Sequence, residues 1–319
     1  MLGHPSPVHK LQTRCRVAET TEGLGALAQD IDDFLFRLAF HDPKKMAILR
    51  QEAIEKWVPN FTTLKTHADK MPDAGLVHAF AEFEEAMTGF GEAESHAFTD
   101  IVEHKLRVDA ANVLLKKAIF AREYNGEVFE EGDEAFYLPS CEQASQKAML
   151  VVLHGAFMKG RNFIWKWVFA AARRKIPIYA PSSQRESWTE GDLEWIEGMV
   201  EKLCENYNLP RKESLVAGFS DGAIATTLLC CRKDTAFRKA AFLSGMRPFD
   251  ANAMPKIPIY ILHGSQDPIF PVIGVREMVK ALRAHAPDVT YRECAGAPHS
   301  FPYPEIDALM DWFLETRSR

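Results

Sequence analysis

The sequence predicts an α/β protein: a mostly parallel sheet with helices on both faces, preceded by an all-helical N-terminal half. Three observations predict it. From about Thr20 to Asn125 the apolar residues return at helical spacing and β-branched runs are almost absent. After Gly126 short apolar runs alternate with amphipathic stretches, the grammar of βαβ units. Those runs are continuously apolar rather than alternating, as strands buried on both faces require.

In the first half, "DIDDFLFRLAF" sets Ile31, Phe34, Leu35 and Leu38 on one helical face. Asp42 followed by Pro43 caps a second helix running to about Trp57. Asp73 starts a third, with Leu76, Phe80, Phe83 and Met87 inward, which Gly89 and Gly91 end. A long helix from about Glu92 to Arg122 carries Phe98, Ile101, Leu106, Val113, Leu114 and Ile119, and Asn125-Gly126 stops it. His67, His78, His96 and His104 lie in this half without metal-ligand spacing, so no metal site is expected.

In the second half the expected strands are Ala135 to Leu138, Met149 to Leu153, Ile178 to Ala180, Leu215 to Ala217, Ala240 to Leu243, Ile257 to Leu262 and Val289 to Glu293. The expected helices run at about Arg161 to Arg174, Asp192 to Tyr207, Gly222 to Arg232, Gly274 to Ala286 and Glu305 to Thr316. The domain reading is a loose start at 1–19, a helical domain at 20–126 and an α/β domain at 127–319. The stretch from Asn125 to Asp133 reads as a short link.

Composition narrows the function classes. The 319 residues carry a formal charge of −6 with no basic stripe, so nucleic acid is not an expected partner. No run is long and apolar enough to span a bilayer, and the basic first stretch lacks the apolar region of a secretory signal. Six cysteines without metal or redox spacing suit reduced thiols, and a cytoplasmic location is expected.

The chemistry gathers at strand ends. "LVAGFSDGAI" sets Ser220 between Gly218 and Gly222 where a strand run changes to a helix run, the pattern of a sharp turn that lifts a serine hydroxyl outward. "MLVVLHGAFMKG" ends a strand in His154-Gly155, where backbone N–H groups could face a developing oxyanion. "ILHGSQDPIFP" ends another in His263-Gly264, followed by Asp267, and "RECAGAPHSFP" ends the last in a loop bearing His299. In doubly wound sheets this is the edge at which ligands bind.

The order Ser220, Asp267, His299, each after a separate strand, is that of the α/β-hydrolases, and over about residues 133 to 316 the sequence resembles that superfamily. G-F-S-D-G, the L-H-G strand end, H-G-S-Q-D-P-I-F-P and G-A-P-H are similar to motifs of small serine esterases of the phospholipase/carboxylesterase and dienelactone hydrolase type. The resemblance implies the α/β-hydrolase fold and hydrolysis of a small-molecule ester through an acyl-enzyme, without cofactor or metal. Ser220 would be the nucleophile, His299 the acid and base, and Asp267 the residue that orients it. Asp221 competes as the acid, but it opens a helix, where a carboxylate complements the dipole and is badly placed to reach a distant loop.

The resemblance also implies an oxyanion hole from the backbone N–H groups of Asp221 and Ala156, with Phe157 the neighbouring possibility because the sequence reads H-G-A-F rather than H-G-G-G. His154 and His263 read as structural. Phe157, Trp188 and Phe219 are candidate pocket residues, whereas Trp165 and Trp167 read as helix-to-sheet packing. The aromatic-rich helical half is expected to dock over the strand ends as a cap, with a homodimer surface and a docking module as the other readings. Hydrolytic carbon–carbon cleavage of a β-diketone-like substrate and a non-catalytic interaction protein are the alternative functions.

Overall fold

The computed structural model describes residues 21–38, 43–68, 74–93, 98–124, 126–140, 148–232, 234–247, 250, 257–285 and 288–315. The chain separates into two compact units, Met1–Tyr124 and Asn125–Arg319.

The first unit is helical: α1 (Thr21–Leu38), α2 (Pro43–Glu52), α3 (Val58–Ala68), α4 (Ala74–Glu92) and α5 (Phe98–Glu123). The caps expected at Asp42 and Asp73 lie outside the described residues, as do Phe40 and the side chains of Phe98 and Ile101. Two expectations need correction. The second helix does not stop at Trp57: a π-helical turn, Ala53–Trp57, carries α2 into α3. Pro59 has no N–H to donate to Glu55, so the ladder widens there rather than breaking. Gly89 and Gly91 lie inside α4, and Gly91 is a close-packing position, since a Cβ there would sit 2.5 Å from Ile54 Cδ1.

On α5 the inward residues are Val108, Ala111, Leu115 and Ile119, while Leu106 and Leu114 are exposed. Asn112 and Lys116 are also buried there, and Lys116 Nζ donates to Asp32 at 2.6 Å. A polar pair thus occupies the face that apolar periodicity assigns to neighbouring residues. The aromatic residues form one core, with Phe34 on Trp57 (ring centroids 5.5 Å), Phe61 on Phe83 (4.5 Å) and Phe61 on Phe80 (5.8 Å).

The second unit is an eight-stranded sheet in the order β1-β2-β4-β3-β5-β6-β7-β8. Its strands are β1 (Gly126–Glu131), β2 (Glu134–Pro139), β3 (Leu150–Leu153), β4 (Ile178–Ala180), β5 (Ser214–Phe219), β6 (Phe237–Leu243), β7 (Ile259–Gly264) and β8 (Val289–Cys294). β1 and β2 are antiparallel, β2 pairs antiparallel with β4, and β4 through β8 run parallel. The stretch read as a link is therefore mostly β1, the edge of the sheet. Its turn is Gly132-Asp133, with Gly132 at φ 60°, the left-handed conformation that a two-residue hairpin needs. The glutamates that disguise it as a linker also keep an exposed edge from pairing.

The helices that follow the strands are α6 (Gly160–Phe163), α7 (Val168–Arg174), α8 (Glu190–Asn206), α9 (Asp221–Cys230), α10 (Val272–His285) and α11 (Ile306–Leu314). The single helix expected from Arg161 to Arg174 is broken by a 3-10 turn, Ile164–Lys166, before α7. Phe163, Trp165 and Trp167 are all buried, and a regular helix would send Trp165 about 200° round from Phe163. The break lets all three face the interior, so Trp165 and Trp167 are packing residues.

Candidate active site

The loops after β3, β5, β7 and β8 leave the same edge of the parallel sheet and bring the motif residues together. Ser220 lies between β5 and α9 at φ 55° and ψ −116°, a strained conformation for a residue with a Cβ. Small neighbours make the turn possible. A Cβ on Gly218 would lie 2.0 Å from Gly222 O, and one on Gly222 would lie 2.2 Å from Leu153 O. The Ser220 N–H donates to Leu243 O at 2.8 Å, which ties the elbow to the end of β6.

Asp267 is held in the turn after β7. Its Oδ1 accepts from the N–H groups of Ile269 (2.8 Å) and Phe270 (2.9 Å), leaving Oδ2 to accept from His299 Nδ1 at 2.8 Å. The other ring nitrogen of His299, Nε2, lies 2.9 Å from Ser220 Oγ. The Asp267 carboxylate is fully buried. Burial alone would push its titration upward, but the hydrogen bonds from His299 and the backbone hold it below the ordinary carboxylate range. The His299 ring lies between Phe219 (5.5 Å) and Phe270 (5.7 Å).

The loop bearing His299 is fastened to the turn bearing Asp267. Gln266 N–H donates to Ala297 O at 2.9 Å, and a Cβ on Gly264 would lie 2.3 Å from that same oxygen. His263 is buried, with Nε2 donating to Phe270 O at 2.8 Å and 3.7 Å from Asp267 Oδ2. Burial lowers its affinity for a proton, consistent with a neutral ring that braces the acid turn.

His154 is likewise buried and neutral, its pKa lowered to about 4 chiefly by desolvation. Nδ1 donates to Gly155 O (2.7 Å) and Nε2 accepts from Ser183 N–H (3.1 Å), which fixes the tautomer. The loop it holds presses on the elbow, for a Cβ on Gly155 would be 3.3 Å from Ser220 Cβ. Phe157 N–H is spent on Glu186 O at 2.8 Å, and its side chain stands exposed at φ 63°. Among the described residues nothing accepts from the Ala156 N–H. The Asp221 N–H, at the first position of α9, has no acceptor within its helix.

The Asp221 carboxylate is engaged elsewhere, with Oδ2 accepting from Trp188 N–H at 3.0 Å. Trp188 also donates Nε1 to His154 O at 2.8 Å and lies on the His154 ring at 4.6 Å. This bridging role carried no signal in the sequence, since it joins two loops 33 residues or more apart. Phe270, which shields His299, was visible only as part of P-I-F-P. Among the described residues no cluster of three or more His, Cys, Asp or Glu could hold a metal ion, and no helix is long and apolar enough to cross a membrane.

Fold and motif geometry define a class, the α/β-hydrolase enzymes. Residues 178–317 match a family model described as phospholipase/carboxylesterase. No curated protein matches the chain. Among solved structures the chain is similar to TT1662 of Thermus thermophilus, at 20% identity and a TM-score of 0.50 over 60% of this chain and 100% of that one. It also aligns with the Bacillus cereus carboxylesterase (15% identity, TM-score 0.46, 62% and 97% of the two chains). A carboxylesterase from Mesorhizobium loti aligns at 17% identity and TM-score 0.48, over 60% of this chain and 100% of that one.

Proposed function

We propose that the protein is a serine hydrolase that cleaves carboxylic esters of small molecules through an acyl-enzyme, with Ser220 as nucleophile, His299 as general base and acid, and Asp267 as the residue that orients His299. The observation that carries the reading is the continuous hydrogen-bonded chain from Asp267 Oδ2 to His299 Nδ1 (2.8 Å) and from His299 Nε2 to Ser220 Oγ (2.9 Å). Asp267 keeps the proton of a neutral His299 on Nδ1, so Nε2 is free to act as base.

As Ser220 Oγ attacks the acyl carbon, its proton passes to Nε2 and the carbonyl oxygen becomes an oxyanion. The N–H groups of Ala156 and Asp221 stabilise that charge, and losing one such donor costs about 10²–10³ in rate. Collapse of the intermediate expels the alcohol, which takes the proton from Nε2, and leaves the acyl group on Oγ. Water then attacks the acyl carbon, His299 takes the water proton, and the acid departs as Oγ is reprotonated.

The test is turnover of a short p-nitrophenyl ester, followed by intact mass of the acid-quenched enzyme. Ser220→Ala and His299→Ala should each lower turnover by about 10⁴-fold or more, and the mass increment of the acyl group should appear on wild type but not on Ser220→Ala. Wild-type turnover by Ser220→Ala would overturn the reading.

A further inference from the structure

An oxyanion hole works only if its donors sit at a fixed separation, aimed at the same point, before the charge develops. Under the proposed function, on which this inference rests, the two donors lie on different segments: Ala156 on the loop after β3 and Asp221 at the start of α9. Some group must set the spacing between them. Trp188, on the loop between β4 and α8, makes one hydrogen bond to each segment. Its main-chain N–H reaches the Asp221 carboxylate at 3.0 Å, and its indole N–H reaches the carbonyl of His154, two residues before Ala156, at 2.8 Å.

The same loop grips the β3 segment at two further points. Ser183 N–H donates to His154 Nε2 at 3.1 Å, and Glu186 O accepts from Phe157 N–H at 2.8 Å. The second contact takes Phe157 N–H out of the hole and leaves Ala156 N–H as the donor. A Trp side chain has two rotatable bonds, and here its ring also packs against His154, with centroids 4.6 Å apart and the planes tilted by 36°, so the link is stiff. We infer that Trp188 is a positioning residue that holds the two oxyanion donors in register, rather than a wall of the substrate pocket.

The two roles differ in what they do to kinetics. A pocket wall contributes to ground-state binding and shows in KM; a brace for the oxyanion hole shows in kcat and in affinity for tetrahedral mimics. The experiment uses the full chain, with a p-nitrophenyl ester as substrate and phenylboronic acid as the tetrahedral mimic on Ser220. Trp188→Phe keeps an aromatic ring beside His154 and removes the indole N–H together with the five-membered ring that carries it. It should lower kcat about tenfold and weaken phenylboronic acid by a similar factor, with KM changed less than about twofold. Asp221→Ala, which removes the acceptor for the Trp188 N–H, should give the same pattern, with Asp221→Asn, which restores an acceptor, recovering part of the loss. If Trp188→Phe fails to fold, the Asp221 pair carries the same measurements. Unchanged kcat and boronate affinity in the variant, or a rise in KM alone, would overturn the inference while leaving the serine hydrolase reading intact. A wild-type protein that neither hydrolyses the ester nor takes phenylboronic acid at Ser220 would bring down both.

Discussion

Two aspartates compete for one role, and their surroundings separate them. Asp267 gives one oxygen to two backbone N–H groups and the other to His299, whereas Asp221 gives its carboxylate to Trp188 N–H. Asp267→Asn would present an amide where His299 needs an acceptor, and should lower kcat by about 10⁴-fold through the wrong tautomer. Asp221→Asn keeps an acceptor for Trp188 and should cost far less. Ester kinetics of the two variants decide the matter, and equal damage would contradict the assignment of the acid. At this scale the sequence was unusually informative. The elbow, the aspartate turn and the histidine loop each join small residues, a polar residue and a strand end within a dozen positions; chain order sets aside His154 and His263, and the helix start at Asp221 ranks it below Asp267. Trp188 was not legible in its bridging role, because both of its hydrogen bonds join segments far apart in the chain.

Strand by strand, the runs located seven of the eight strands: the six inside the sheet announce themselves by apolar composition, and β8, a half-buried edge, by its valine, threonine and tyrosine. β1 escaped because an exposed edge is under no such demand, although Gly132-Asp133 between "VFEE" and "EAFYLP" was a hairpin signal. On α5 periodicity failed for another reason: Asn112 and Lys116 are buried beside Asp32, and paired polar groups are invisible to an apolar pattern. The loop after β3 carries a prediction of its own. His154 is held neutral, its pKa lowered from 6.5 to about 4, mainly because it is buried. The unfolded chain therefore binds a proton at higher pH than the folded chain. His154 contributes nothing to acid sensitivity above about pH 6.5, and the folded state loses stability relative to the unfolded as pH falls from there to about 4, by roughly 3 kcal/mol at most. Thermal melts of the wild type should fall more steeply across that window than those of His154→Gln; parallel slopes would contradict the account.

For the whole molecule, the sequence of the helical half predicts aromatic faces that must pack on a partner. In the structure Phe34, Phe80, Phe83 and Phe90 are buried within a core shared with Trp57 and Phe61. Exposed apolar area is therefore not what argues for a cap. Every residue assigned to the chemistry belongs to the unit Asn125–Arg319. A chain beginning at Asn125 should accordingly keep its serine chemistry, and the cap expected from the sequence would show as a broader profile across ester chain lengths than that of the full chain. A profile identical to that of the full chain would instead make the helical unit an independent module.

The central claim is that Ser220 is a nucleophile activated by His299, and covalent capture tests it most directly. A fluorophosphonate reacts with a serine that an adjacent base deprotonates, transferring its phosphonyl group to Oγ with loss of fluoride. Peptide mapping of the labelled full-length protein should find the adduct on Ser220, with labelling abolished in Ser220→Ala and strongly slowed in His299→Ala. An unlabelled wild-type protein, or an adduct on another residue that persists in Ser220→Ala, would contradict it.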